Sequence, residues 1–271
     1  MLTWVDGCPA AQLPVADRGL AYGDGLFETI AVHNGQAPLL SRHLQRLSEG
    51  CQRLAIELDH SLLASELLAF FAELGDGVAK LLITRGDGLR GYAAPQPAQP
   101  RRILLGSPPP TYPVANAAQG VRLFPCVTRL AEQPLLAGLK HLNRLEQVLA
   151  RNEWSDPAFA EGLMRDTSGR VIEGVFSNLF LLRDGVLITA ELSRCGVAGV
   201  MRAEVLAQAE QAGLAVHVRD VSYEELLDAE EVFLCNSLYG IWPVRELASS
   251  VWPVGPLTRK LQGLVRSHLD T

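Results

Sequence analysis

The sequence predicts an α+β protein of two domains, and three observations carry that expectation. Its 271 residues exceed what one domain of about 150 residues accounts for. Short β-rich runs bounded by Asp-Gly and Asn-Gly pairs alternate with stretches of helical apolar spacing. Seven prolines from Pro95 to Pro113 break both patterns near the middle of the chain. The expected division is an N-terminal domain over 1–107, a Pro-rich linker over 108–119 and a C-terminal domain over 120–271.

Residues 1–35 read as short strands with turns at Asp6-Gly7 and Asn34-Gly35. The spacing of Leu44, Leu47, Cys51 and Leu54 predicts a helix over 41–56, with Ser41 as its N-cap. A second helix is expected over 61–74, then buried strands over 78–84 and 101–107. Pro108–Pro113 cannot be helical and suits an extended connection. Beyond it come a strand over 120–127 and a helix over 142–154, with Leu142, Leu145, Val148 and Leu149 on one face. Strands follow over 162–166 and 170–175. A hairpin over 178–189 turns at Asp184-Gly185. The helix over 199–212 stops at Gly213, the residue type that best adopts the left-handed conformation after a last turn. A strand over 214–221, a helix over 222–228, a strand over 231–235 and a helix over 256–269 complete the chain.

The formal charge, 24 − 30 = −6, lacks the basic excess of a nucleic-acid binder. Cys8, Cys51, Cys126, Cys195 and Cys235 are odd in number, scattered and without a C-x-x-C pair. That pattern fits neither a disulfide framework nor a zinc knuckle, and reduced thiols suit the cytosol. The opening MLTWVDGCPA has neither the basic nor the apolar region of a signal peptide. No apolar run approaches the ~20 residues that a bilayer-spanning helix needs. The expectation is a cytoplasmic protein with no metal, membrane or nucleic-acid partner.

Phosphate-loop, zinc-protease and nucleophile-elbow motifs are absent from the sequence. Gly86-Asp-Gly-Leu-Arg-Gly91 matches G-x-G-x-x-G after a strand, but the following Tyr92-Ala-Ala-Pro-Gln-Pro opens no helix to hold a pyrophosphate. It reads as a flexible loop carrying Arg85 and Arg90. Lys140 is more informative, because it stands between an apolar segment and an amphipathic helix. Desolvation there would favour the neutral amine, which can form a Schiff base or take a proton. Composition alone favours the alternative, a solvated lysine at a helix start.

The surrounding motifs shift that balance. Tyr22-Gly-Asp-Gly-Leu-Phe-Glu-Thr29, His43-Leu-Gln-Arg46-Leu47, Val171-Ile-Glu173-Gly-Val-Phe-Ser-Asn178-Leu-Phe180 and Gly196-Val-Ala-Gly199-Val-Met-Arg202 occur in that order. Together with the Lys140 segment they resemble the fold-type IV pyridoxal-phosphate enzymes, a family of branched-chain and D-amino-acid aminotransferases and aminodeoxychorismate lyases. The resemblance covers nearly the whole chain. LAGLKHLNRLEQVLAR, Thr84-Arg-Gly-Asp-Gly-Leu-Arg-Gly-Tyr92 and Cys235-Asn-Ser-Leu are more similar to the lyase branch. Branched-chain aminotransferases carry a tyrosine five residues after the lysine, where this chain has Leu145.

The resemblance implies a small N-terminal α/β domain, a larger C-terminal domain with a barrel-like sheet, and a homodimer. It implies pyridoxal 5′-phosphate as cofactor, with Lys140 as both the cofactor's Schiff-base lysine and the general base. Glu173 would face the pyridine nitrogen. Arg46 would grip the phosphate together with Gly199, Val200 and Met201 at a helix start, and Ser237 would complete the cup. Asn178 reads rather as a structural cap. Arg90 and Tyr92 would hold substrate carboxylates, with Asn143 and Arg144 as rivals, and Thr29 would lie near the cofactor. Glu28 and His141 receive no role. The implied reaction is β-elimination of pyruvate from 4-amino-4-deoxychorismate, leaving 4-aminobenzoate, a folate precursor. The alternatives are a D- or branched-chain amino-acid aminotransferase, and a non-catalytic binding protein that kept the fold.

Overall fold

A computed structural model describes residues 2–266 and Leu269, and the chain forms two compact units. One comprises residues up to Thr111 together with Leu139–Asn143 and Leu269; the other comprises Tyr112–Gly138 and the chain from Arg144 to Arg266. The five-residue return of Leu139–Asn143 to the first unit has no signature in composition. The expected linker also divides: 108–113 has no regular structure, while Val114–Gln119 is helical.

The first unit runs β1 (Leu2–Val5), β2 (Cys8–Pro9), α1 (Arg18–Tyr22), β3 (Gly25–Val32), α2 (Leu40–Arg53), α3 (His60–Leu74), β4 (Gly77–Thr84) and β5 (Arg101–Ser107). Its sheet is antiparallel throughout, in the order β2-β1-β5-β4-β3. Alternation along β3 buries Leu26, Glu28, Ile30 and Val32 and leaves Phe27 and Thr29 half-buried on the other face. Leu63, Leu67, Phe70 and Phe71 form the buried stripe of α3. Each such side chain stabilises by about 1.5–3 kcal/mol relative to exposure. In α2 the buried stripe is His43, Leu47, Gly50 and Cys51, one residue round from the apolar spacing predicted, so that an imidazole enters the interior. Ser41 is not its cap: the N-cap position is Leu39, with no side-chain capping bond.

The second unit runs α4 (Val114–Gln119), β6 (Val121–Leu130), α5 (Leu145–Arg151), β7 (Phe159–Asp166), β8 (Val171–Gly174), β9 (Asn178–Arg183), β10 (Val186–Ala190), α6 (Val200–Gln211), β11 (Ala215–Arg219), α7 (Tyr223–Leu227), β12 (Glu231–Asn236), β13 (Gly240–Leu247), β14 (Ser250–Val251) and α8 (Pro256–Arg266). The expected terminal helix over 256–269 is described to Arg266; residues 267 and 268 lie outside the described residues. The main sheet has the order β11-β10-β9-β12-β13-β6-β7-β8, and the pairing of β8 with β9 closes six of its strands into a barrel. The closing pair is Glu173 opposite Asn178. Leu123, Leu163, Leu181, Leu234 and Val244, one from each of five strands, join a single buried cluster with Trp242. Among the described residues, no helix is long and apolar enough to cross a membrane.

The helix expected over 142–154 is shorter, Leu145–Arg151, and its predicted apolar face points outward. Leu145 is 76% exposed, Leu149 60% and Val148 51%, while Ala150 is the buried residue.

Candidate active site

In the first unit the site is built on β3 and the Leu139–Asn143 return. The return pairs with β3: Phe27 donates its backbone N–H to the Lys140 carbonyl at 2.9 Å, and Leu142 donates to Gly25 O at 3.0 Å. This fixes the Lys140 backbone against a rigid strand. The Lys140 ammonium, half-buried, lies 4.3 Å from the centroid of the Phe27 ring. Glu28, on the opposite face, is 1% exposed. It accepts from His43 Nδ1 at 2.6 Å and from Arg46 Nε at 2.8 Å, with a second, shorter contact from Arg46 Nη2. The Arg46 guanidinium beside Glu28 holds its carboxyl at about 2, against a burial that pushes it up. Burial pushes the His43 imidazole down against the opposing pull of the Glu28 carboxylate, and the positive charges of Arg46 and Lys140 add to the lowering. Lys140, His43, Arg46 and Glu28 therefore form one electrostatic unit around β3.

Two other expected ligands of this unit lie on its surface. Arg90 and Tyr92 are exposed, in the loop after β4, with the Tyr92 ring 5.5 Å from that of Tyr22. Asn143 donates Nδ2 to Gly23 O at 3.2 Å, so it supports the turn into β3. Thr29 shares a strand face with Phe27.

In the second unit Glu173 is buried at the end of β8. Its Oε2 accepts from the backbone N–H of Val197 at 2.8 Å. Asn178 donates Nδ2 to Val197 O at 2.9 Å. The turn Gly196–Gly199 thus rests on both members of the barrel-closing pair. That is why its spacing is G-x-x-G. A Cβ at Gly199 would lie 1.9 Å from Asn178 Oδ1, and Gly196 has φ +84° with a Cβ position 2.8 Å from Ile172 Cγ2. Gly199 is the N-cap of α6 and no side chain caps it, so the backbone N–H groups of Val200, Met201 and Arg202 open the helix without a side-chain acceptor. Burial lowers the pKa of both Arg144 and Arg202, and each is partly offset by the Glu173 carboxylate. Ser237 follows β12, in a turn held by Asn236 Oδ1, which accepts from Leu238 N and Tyr239 N at 2.9 and 3.0 Å. Since Cys235 pairs with Asn178 across β12 and β9, that turn stands at the same barrel end as Glu173.

A family model for amino-transferase class IV matches residues 25–247, a span that takes in both sets of residues.

The chain belongs to the class IV aminotransferase family.

Its relatives include lyases and transferases. It is 38% identical over 266 residues to an aminodeoxychorismate lyase of Vibrio harveyi, covering 96% of this chain and 98% of that one. It is 28% identical over 265 residues to a D-alanine aminotransferase of Bacillus licheniformis, covering 94% and 91%. The crystal structure of 4-amino-4-deoxychorismate lyase from Pseudomonas aeruginosa is 68% identical, with a TM-score of 0.98 over the full length of both chains.

One buried acid of this family member escaped the sequence reading. Glu161 of β7 is wholly buried. Its Oε1 accepts from Gly162 N and Val175 N at 2.9 and 3.0 Å; its Oε2 accepts from Ser177 Oγ and Phe176 N at 2.8 and 3.3 Å. It thereby ties down the turn joining Glu173 to Asn178. The available signal was an acid at a core position of the apolar run FAEGLM. Burial raises its carboxyl from 4.5 to about 7, although all four donors oppose that shift. The folded protein therefore binds a proton that the unfolded chain has released, and stability falls as pH rises from 4.5 to about 7. Glu161→Gln is expected to flatten that stretch of the stability curve, as read by urea unfolding at a series of pH values. An unchanged slope would contradict the assignment.

Proposed function

We propose that this chain is a pyridoxal-phosphate-dependent lyase that converts 4-amino-4-deoxychorismate into 4-aminobenzoate and pyruvate. The observation that carries the reading is the full-length match at 68% identity to the Pseudomonas aeruginosa lyase. The residues fit the cofactor. Lys140 supplies a half-buried amine on a rigid backbone. The Gly199 turn leaves no room for a Cβ and presents uncapped helix N–H groups suited to a phosphate. Glu173 supplies a buried carboxylate for a protonated ring nitrogen.

Bound there, pyridoxal phosphate supplies an electron sink for the substrate carbon that loses its proton. The chain's own residues do the rest. Lys140 would anchor the cofactor, and its freed Nζ would receive the proton. Glu173 would keep the ring nitrogen protonated, and the Val197 N–H holds that carboxylate in place. Val200 and Met201 offer backbone N–H groups to the phosphate, with Ser237 completing the cup. Arg46 adds charge-assisted hydrogen bonds, its guanidinium oriented by Glu28. Arg90 and Tyr92 take a substrate carboxylate, with Asn143 and Arg144 in reserve, and Thr29 lies near the cofactor. In the substrate, the C–H bond beside nitrogen and the C–O bond to the enolpyruvyl group both break; the C–O electron pair leaves with enolpyruvate, which takes up a proton to give pyruvate, and aromatisation of the ring drives the step.

The test is to supply the holoenzyme with 4-amino-4-deoxychorismate and follow both products. Equimolar 4-aminobenzoate and pyruvate are expected. The second reading, an aminotransferase, is favoured by the similarity to D-alanine aminotransferase. It predicts instead that an amino acid alone converts the bound cofactor to its amine form with no 4-aminobenzoate formed.

The working assembly in this proposal is a homodimer in the cytosol. The support for a second copy is the outward apolar face of α5, formed by Leu145, Val148 and Leu149. Contiguous exposed apolar residues of this kind mark an interface. All five cysteines are free thiols, as a reducing compartment keeps them. Sedimentation is expected to give twice the chain mass, and Leu149→Glu is expected to shift the population to monomer. A native monomer would overturn the assignment.

A further inference from the structure

The G-x-G-x-x-G run at 86–91 opens no helix, and Gly88 and Gly91 have a different explanation: the loop is wrapped around one arginine. Arg18, at the start of α1, is 4% exposed. Its guanidinium donates Nη1 to Gly91 O at 3.1 Å and to Ala93 O at 3.2 Å, and Nη2 to Tyr92 O at 2.9 Å. Its Nε donates to Asp24 Oδ2 at 2.8 Å, and Asp24 is held in turn by Arg85 Nε at 2.8 Å. Gly88 lies flat on the arginine stem, where a Cβ would come within 2.8 Å of Arg18 Cγ and Cδ. Gly91 takes φ +109°, and its N–H donates to Tyr22 Oη at 3.3 Å. The Arg18 guanidinium lies 4.9 Å from the Tyr22 ring. The expected flexible loop is therefore clipped by three consecutive carbonyls to one buried cation.

We propose that Arg18 is a positioning residue that sets the 88–93 loop, and through it the placement of Arg90 and Tyr92 on the substrate carboxylate. The proposal rests on the lyase reading with Arg90 as a carboxylate ligand. A guanidinium suits the task because its planar fork meets several carbonyls in fixed directions, whereas an ammonium is a point charge without that geometry. Arg18 meets the loop through its backbone carbonyls, so its effect must appear in substrate affinity and loop order.

The test uses the holoenzyme with Arg18→Met, Arg18→Lys, Gly88→Ala, Arg90→Ala and the Arg18→Met/Arg90→Ala pair. Arg18→Met is expected to raise KM about tenfold with kcat little changed, the signature of lost positioning. Arg18→Lys is expected to fall between native and Met. Gly88→Ala displaces the stem while keeping the charge, so it gives the same KM rise even if Arg18→Met folds poorly. The double variant should be no worse than Arg90→Ala alone, because Arg18 acts through the same loop. Limited trypsinolysis after Arg90 reads the loop without turnover and should quicken about tenfold in Arg18→Met. Quickened cleavage with unchanged KM would overturn the proposal, as would a lowered unfolding midpoint with neither change. An unchanged KM in Arg90→Ala would remove its basis. If the native protein formed no 4-aminobenzoate, the lyase reading would fail, while the cleavage result would still report on the clip.

Discussion

Lys140→Ala is expected to abolish release of 4-aminobenzoate and pyruvate while leaving the protein folded. Loss of proton transfer alone costs roughly 10²–10⁴-fold, and this residue is also the proposed anchor of the cofactor. The chain has only three lysines, Lys80, Lys140 and Lys260, so few amines can substitute. Lys80 is the informative control. Its Nζ lies 5.1 Å from the centroid of the Phe27 ring that Lys140 approaches to 4.3 Å. Lys80 is exposed on β4, whereas Lys140 is half-buried on a segment hydrogen-bonded to β3. Lys80→Ala should therefore retain product formation and the visible absorbance of bound cofactor, and Lys140→Ala should lose both. Retained turnover in Lys140→Ala, or loss in Lys80→Ala, would reassign the amine. The unfolding midpoint of Lys140→Ala should stay close to native, because its backbone bonds to β3 do not involve the side chain.

The largest effect on stability is expected at Glu28. Its carboxylate is 1% exposed and partners two groups, His43 and the largely buried Arg46. Glu28→Gln leaves the guanidinium without its counter-ion, and stranding one member of a buried pair costs about 3–5 kcal/mol. The sign of the pH dependence follows from the direction of each shift. The Glu28 carboxyl sits at about 2, below its ordinary 4.5, so its contribution is complete above pH 4.5 and fades as pH falls towards 2. Burial lowers the His43 imidazole below 6.5, so the unfolded chain takes up that proton first and acid destabilises further. Urea unfolding should show Glu28→Gln well below native at neutral pH, with the two curves converging in acid. A difference that is small at neutral pH, or that grows in acid, would contradict the ion-pair assignment. The same variant should weaken cofactor binding, because the Arg46 guanidinium loses the group that orients it.

Most elements were legible from local pattern, because helix and strand periodicity are properties of neighbouring residues. The helix over 199–212 and the hairpin at Asp184-Gly185 emerge with small shifts of their ends. β13 is not legible in local pattern, since Pro243 interrupts its run, and its place is set by pairing with β12 and with distant β6. The α5 stripe shows the opposite failure. Leu145, Val148 and Leu149 do share a face, but spacing cannot say whether that face meets a core or another chain.

The chemistry divides along the same line. The sequence by itself determined which residue types stand ready: one lysine in an apolar setting, a G-x-x-G turn before a helix, and a run of motifs shared with one enzyme family. Only the tertiary structure decided what each meets. Glu28, with no role in the sequence, becomes the counter-ion of Arg46 because β3 and α2 face each other. Glu161 becomes the hub of the Glu173–Asn178 turn because β7 and β8 pair. Gly88 and Gly91 serve Arg18, some seventy residues earlier in the chain. The physical reason is common to all three. Periodicity is written in adjacent residues, whereas a buried charge is stabilised by whichever distant donor the fold brings within about 3 Å.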